Sequence, residues 1–241
     1  MTASCVVSTK VAEIIDHGSV SATQITVLCI ALVLNMLDGF DVTALSFTAH
    51  RIGEELAIAP QQLGLVFSAA LAGMMLGAMF IAPFSDVVGR RKVGIVGITI
   101  VGISMIATAG ASSLWQLIGL RLITGLGVGA LLASLATITA EYSPLRYRSL
   151  AVVVATAGYP LGASLGGLVA APLLQNFGWE SVFLAGGIAT LSMLVVVYLV
   201  LPESIQFLLT KRPAGALGSL NTVLRKLGST ELKELPAADP L

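Results

Sequence analysis

An all-α integral membrane protein of six spanning helices is predicted, on three observations. Of 241 residues, 56% are hydrophobic and 11% charged, where a soluble domain carries about 25% charged residues. Mean hydropathy is +0.94. Six apolar runs follow one another through short connections, each about the twenty residues that cross a hydrocarbon core of ~30 Å. An outer-membrane barrel is excluded, because its strands would alternate over about ten residues and these runs do not. The formal net charge is zero, so the overall balance lends no support to a nucleic-acid partner.

In chain order, 1–23 mixes Lys10, Glu13, Asp16 and His17 with small residues and reads as a cytoplasmic arm. The spans follow at 24–47, 62–84, 93–111, 116–140, 150–174 and 182–201, so that 24–201 forms one transmembrane domain of antiparallel neighbours. The first run has no small-residue cleavage site behind it and is expected to be retained as a span. A long outer loop is expected at 50–61, acidic at Glu54 and Glu55. Beyond the spans, 202–241 opens on the helix-breaking Pro202-Glu203-Ser204. Leu217, Leu220, Leu224 and Leu227 then recur at helical spacing around Arg225 and Lys226, predicting an amphipathic helix on the inner membrane surface.

Basic residues set the orientation. Lys10, Arg90, Arg91, Lys92, Arg146, Arg148, Lys211, Arg212, Arg225, Lys226 and Lys233, eleven of the thirteen, fall on one side if both termini are cytoplasmic. Arg51 would lie outside and Arg121 within a span.

Two acids, Asp38 and Asp41, stand inside the first apolar run, where a central charge costs roughly 2.5 to 3.5 kcal/mol and usually serves function. Their spacing of three places them on one helix face, extended a turn inward by Asn35, with Gly39 between them. Arg121 enters the fourth span from the opposite side. Counting at about 1.5 Å per residue puts it at the depth of Asp41, so it can pair with one acid and leave the other to take or release a proton. A structural ion pair is the plainer reading, but two acids against one base leave a charge that packing does not require.

Glycines at 125 and 129, and at 158, 162 and 166, repeat every four residues and read as smooth helix-packing faces. Pro160 is expected to interrupt the fifth span near its middle, beside Tyr159, whose ring and hydroxyl can face a ligand or simply pack. Gly-Ala-Ser-Leu-Gly at 162–166 resembles a serine-nucleophile pattern. It needs a strand-to-helix turn and a histidine, and the two histidines, His17 and His50, lie outside the spans. Gly-Leu-Gly-Val-Gly at 125–129 follows no strand and is span packing, not a nucleotide loop. Cys5 and Cys29 suggest neither a disulfide framework nor a metal site.

At 82–92 the sequence reads Ala-Pro-Phe-Ser-Asp-Val-Val-Gly-Arg-Arg-Lys. This resembles the signature between the second and third spans of the major facilitator superfamily, with Asp86, Gly89, Arg90 and Arg91 in place. Ala82 stands for the family's first glycine and Val87 for a basic residue, a loss that should weaken the charge network of a cytoplasmic gate. Arg121 with its glycines, Glu141-Tyr142-Ser143-Pro144 with Arg146 and Arg148, and Pro202-Glu203-Ser204 agree with the fourth span, its inner loop and the sixth-span exit. Asp38-Gly39-Phe40-Asp41 is similar to the Asp-Gly-x-Asp element of aromatic acid:proton symporters.

The resemblance implies one half of the fold, a 3+3 inverted repeat, carrying out no enzymatic reaction and using no cofactor beyond a proton gradient. It implies Asp38 and Asp41 for proton coupling, Arg121, Asn35 and Tyr159 for a small aromatic carboxylate such as hydroxybenzoate or benzoate, and Asp86, Gly89, Arg90, Arg91 and Glu141 for gating. The setting implied is a bacterial inner membrane, with the lipid bilayer and either a C-terminal six-span half or a second copy as partners. A truncated, non-transporting remnant, a membrane binding partner, and a transporter of a sugar or another organic anion stay open.

Overall fold

The computed structural model describes residues 21–226 together with Leu232 and Leu235. Among the described residues, six helices are long and apolar enough to cross a membrane: α1 (Ala22–Glu55), α2 (Pro60–Val88), α3 (Arg90–Ala109), α4 (Leu114–Tyr142), α5 (Arg148–Phe177) and α6 (Trp179–Val200). Two short helices follow, α7 (Ile205–Lys211) and α8 (Ala216–Lys226). The expectations placed on Cys5, Lys10, His17, Leu227 and Lys233 lie outside the described residues.

Local chemistry explains where the helices start, bend and stop. Ser21 and Gln24 cap the start of α1 reciprocally, each side chain accepting from the other's backbone N–H. At its far end α1 does not give way to the loop expected at 50–61. It continues to Glu55, because Ile52 still packs fully buried and His50 pairs with Glu54 one turn on at 3.3 Å. Only 56–59 then connects to Pro60, which opens α2 at a position where its missing N–H costs nothing. Towards its end α2 loosens into a π turn (Gly77–Ile81) and a 3-10 turn (Ala82–Phe84) around Pro83. Gly89, at φ +114°, then reverses the chain into α3. The break in α5 lies at Ala157, one turn before the Pro160 that was expected to mark it. The proline ring excludes the carbonyl four residues upstream, so the first segment ends at Thr156 and Pro160 sits in the first turn of the next.

Chain order does not decide which helices pack most closely. The most extensive pairings are α2 with α4, α1 with α5, α3 with α4 and α3 with α6, so most close neighbours are not consecutive. Glycine faces account for two of these. On α4, a Cβ at Gly125 or Gly129 would collide with the α2 carbonyls of Ala70 and Met74, and Gly73 and Gly77 return the same closeness from α2. On α5, a Cβ at Gly158 or Gly162 would strike the carbonyls of Leu32 and Met36 on α1, while one at Gly39 would strike that of Tyr159. Exchanging α1–α3 for α4–α6 maps the α2/α4 pairing onto α5/α1 and α3/α4 onto α6/α1, as an inverted 3+3 repeat requires.

The buried interior divides into two apolar clusters. One joins Ile30, Leu34, Leu135 and Tyr142 to Phe207, Leu220 and Leu224 at the end of the bundle that carries the basic residues. The other joins Phe40, Leu45, Ile52, Met105, Leu117 and Phe183 at the opposite end. Helix α8 belongs to the first cluster: Ala216, Leu220, Val223 and Leu224 are buried against protein. Its apolar face is therefore covered by α7 and the bundle end, which corrects the expectation that it lies on the membrane surface. Asn221 also pairs with both backbone groups of Leu232, at 2.9 and 2.8 Å, holding that residue alongside.

Candidate functional site

A polar layer lies where the two clusters meet. Asn35, Asp38 and Asp41 on α1, with Arg121 on α4, are all buried, and Arg121 is 1% exposed. Arg121 Nη1 donates to Asp41 Oδ1 at 2.8 Å and Nη2 donates to the Thr108 hydroxyl at 3.1 Å. Thr108 commits its own proton to the Ser104 carbonyl at 2.7 Å, which turns its lone pairs towards the guanidinium. On another side the Phe183 ring lies 5.0 Å from Arg121 Cζ, a cation–π contact strengthened by the absence of water. The depth count that matched Arg121 to Asp41 thus corresponds to an ion pair across the α1/α4 contact, on the pseudo-axis of the repeat.

Asp38 is held differently. It is 3% exposed, and neither carboxyl oxygen has a hydrogen-bond partner among the described residues. Asn35 shares its face but donates Nδ2 to its own helix, to the Ala31 carbonyl at 2.8 Å. Tyr159, half-buried on α5, lies within electrostatic range of both acids. Ser164 stands exposed in the middle of an unbroken helical segment. That segment offers none of the strained turn a serine nucleophile requires.

A second charged cluster ties the basic end together. Arg90 donates Nε and Nη2 to Asp86 Oδ1 at 3.1 and 2.8 Å and pairs through Nη1 with Glu141 Oε1. Glu141 Oε2 accepts from Ser204 Oγ at 2.7 Å. Glu203 Oε1 accepts from the backbone N–H of Arg91 at 2.9 Å, and its carbonyl accepts from the Tyr142 hydroxyl at 2.7 Å. The Arg91 guanidinium bonds the Tyr198 carbonyl and covers that ring at 5.6 Å. Gly89 is required by its φ, and a Cβ there would also press on Glu203 Oε2 at 2.8 Å. Four elements, the α2/α3 turn, the end of α4, the end of α6 and the start of α7, are thereby held in one arrangement.

The sequence profile of the Major Facilitator Superfamily matches residues 31–234. The chain belongs to the major facilitator superfamily. Among curated relatives it is 34% identical over 215 residues to a gallate transporter of Pseudomonas putida, covering 89% of this chain and 47% of that protein. It is 36% identical to the 4-hydroxybenzoate transporter PcaK of Acinetobacter baylyi (82% and 43% covered) and 38% identical to PcaK of Pseudomonas aeruginosa (78% and 42%). The chain therefore spans about half the length of the curated relatives it matches. Among solved structures, the major facilitator proton:xylose symporter XylE of Escherichia coli superposes with a TM-score of 0.73 at 22% identity, over 86% of this chain and 50% of that one. At that identity the match speaks for the fold, six helices forming one half of a major facilitator transporter.

The predicted residues thus gather into two groups. Asn35, Asp38, Asp41, Arg121 and Tyr159 gather at the buried layer, and Asp86, Gly89, Arg90, Arg91 and Glu141 at the basic end. Sequence reasoning had no place for Thr108 and Phe183, which fix Arg121. Ser104 and Thr108, one turn apart in an apolar helix, were a legible hint; nothing marked Phe183 among the other apolar residues of α6. Glu203 and Ser204 were read only as a helix exit, although an acid opposite Arg90 and Arg91 on the same side of the membrane was the available signal.

Proposed function

We propose that this chain is the N-terminal half of a proton-coupled symporter for aromatic carboxylates, with both termini cytoplasmic in a bacterial inner membrane. The observation that carries the reading is the buried layer of two carboxylates and one guanidinium on the α1/α4 axis. Such a layer has one cation for two anions, so an incoming carboxylate is tolerated only if one resident acid is neutralised by a proton. Proton and substrate therefore enter together. Arg121 Nε, without a hydrogen-bond partner among the described residues, offers a donor to the substrate carboxylate, with Asn35 beside it and Tyr159 against the ring. The gallate and 4-hydroxybenzoate transporters among the relatives support this class of substrate, and the proton gradient supplies the driving force.

The cluster of Asp86, Gly89, Arg90, Arg91 and Glu141 acts as the cytoplasmic gate, with 202–226 closing the six-helix domain on that side. Alternating access needs a second six-helix half, as a separate chain, a second copy or further sequence. A second reading is a six-helix protein that binds a partner or ligand without transporting.

Uptake of labelled 4-hydroxybenzoate separates the two. Cells expressing the inserted chain, alone and with a six-helix C-terminal half from a relative, are assayed with and without a proton uncoupler. Uncoupler-sensitive accumulation in either case supports the symporter. Its absence in both, with protein in the membrane, favours the non-transporting reading.

A further inference from the structure

We infer that the two acids divide the work, Asp38 being the group that binds and releases the proton and Asp41 remaining the fixed counter-ion of Arg121. The inference rests on the transport reading for its purpose, but its evidence is the geometry of the layer alone. Arg121 is held on three sides, by Asp41 at 2.8 Å, by a Thr108 hydroxyl whose lone pairs are turned towards it, and by the Phe183 ring at 5.0 Å. A proton on Asp41 would strand a guanidinium that is 1% exposed. Asp38 loses nothing of the kind, since among the described residues no donor or cation satisfies either oxygen.

The groups around Asp38 leave little alternative. On its own helix stand Asp41, a like charge one turn away, and Asn35, which donates from Nδ2 to the Ala31 carbonyl and makes no bond to Asp38. From α4 comes Arg121, already taken by Asp41; from α5 comes Tyr159; from α6 the layer receives the uncharged ring of Phe183. A carboxylate with no cation of its own is tolerated in that setting as the neutral acid. Opening the layer to water lets it ionise. Since Arg121 already has a permanent partner, the layer then carries one surplus negative charge, either on Asp38 or on the bound carboxylate. One proton is coupled to one anion at this layer.

Infrared difference spectroscopy of the purified full chain in lipid nanodiscs, titrated in pH, tests this without transport. The wild-type chain is expected to show a pH-dependent C=O stretch at the raised frequency of a carboxylic acid without hydrogen bonds, distinct from the bands of the exposed acids. Asp38→Asn should remove that band, Asp38→Glu should keep and displace it, and Asp41→Asn should leave it in place. A band that survives Asp38→Asn, or no such band in the wild-type chain, overturns the inference. Because Asp41→Asn threatens folding, the two Asp38 variants decide the matter by themselves. A wild-type chain that shows the Asp38 band yet supports no uptake with a second half would sink the transport reading and leave the proton assignment standing.

Discussion

Arg121 makes a charge-assisted bond, a hydroxyl bond and a ring contact at once, all out of water. Removing it strands Asp41 beside Asp38, so Arg121→Ala is expected to lower stability by about 3 to 5 kcal/mol, read from denaturant unfolding in detergent. Pairing Arg121→Gln with Asp41→Asn should recover most of that loss, because no net charge is then left buried, yet uptake in a complete assembly should remain abolished. Recovered uptake would make the pair merely structural. Thr108→Val removes an acceptor and leaves Arg121 Nη2 without its hydroxyl. That change is expected to cost about 1 to 3 kcal/mol, with Thr108→Ser restoring most of it.

Between elements, two contacts can be tested without touching the charges. A valine at Gly162 would drive its side chain into the Met36 carbonyl and separate α5 from α1. Overpacking of this kind costs roughly 1 to 3 kcal/mol, and thermal unfolding in detergent should register it, whereas Gly64→Ala, inside a helix where a Cβ meets nothing, should cost no stability. At the basic end, Tyr142→Phe deletes the bond to the Glu203 carbonyl and leaves the ring in place. A loss of about 1 kcal/mol is expected, together with faster proteolysis after Pro202, because that bond fastens the α6 exit to α4. Unchanged cleavage would show that Arg91 and Ser204 suffice to hold the segment.

For the whole molecule, the informative surface is the one left uncovered. Helices α2 and α5 are the least buried of the six, only 22% of their apolar windows lying inside the protein, against 61% for α4. In α5, Leu161, Leu165 and Leu168 are exposed, and Ser164 stands among them. If a second half packs here, single cysteines scanned along these positions, in a chain with Cys5 and Cys29 replaced, should crosslink to a co-expressed half with helical periodicity. A flat pattern would argue against a defined interface on α5. The inverted repeat explains why α2 and α5 share this exposure: they occupy equivalent places, and each gives its glycine-matched side to one central helix.

Amino-acid order alone determined the membrane class, the six spans, the glycine faces and the acids on one face of α1, because each depends on local composition or on residue spacing along one helix, while a family resemblance marked Asp86, Arg90, Arg91 and Glu141 and left out Glu203. Amino-acid order also set the depth match of Asp41 and Arg121, since rise per residue is a property of any helix. Other features depended on which helices meet. Consecutive spans were expected to be the neighbours, but backbone approach at Gly125, Gly129, Gly158 and Gly162 selects α2 for α4 and α1 for α5. Burial of Ile52 extends α1 past the expected loop, and the bundle end, not lipid, covers the apolar face of α8. Most consequentially, the difference between Asp38 and Asp41 is absent from their side chains and arises only from what surrounds them. Arg121, itself held by Thr108 and Phe183 from two further helices, pairs with one acid and leaves the other without a hydrogen-bond partner among the described residues.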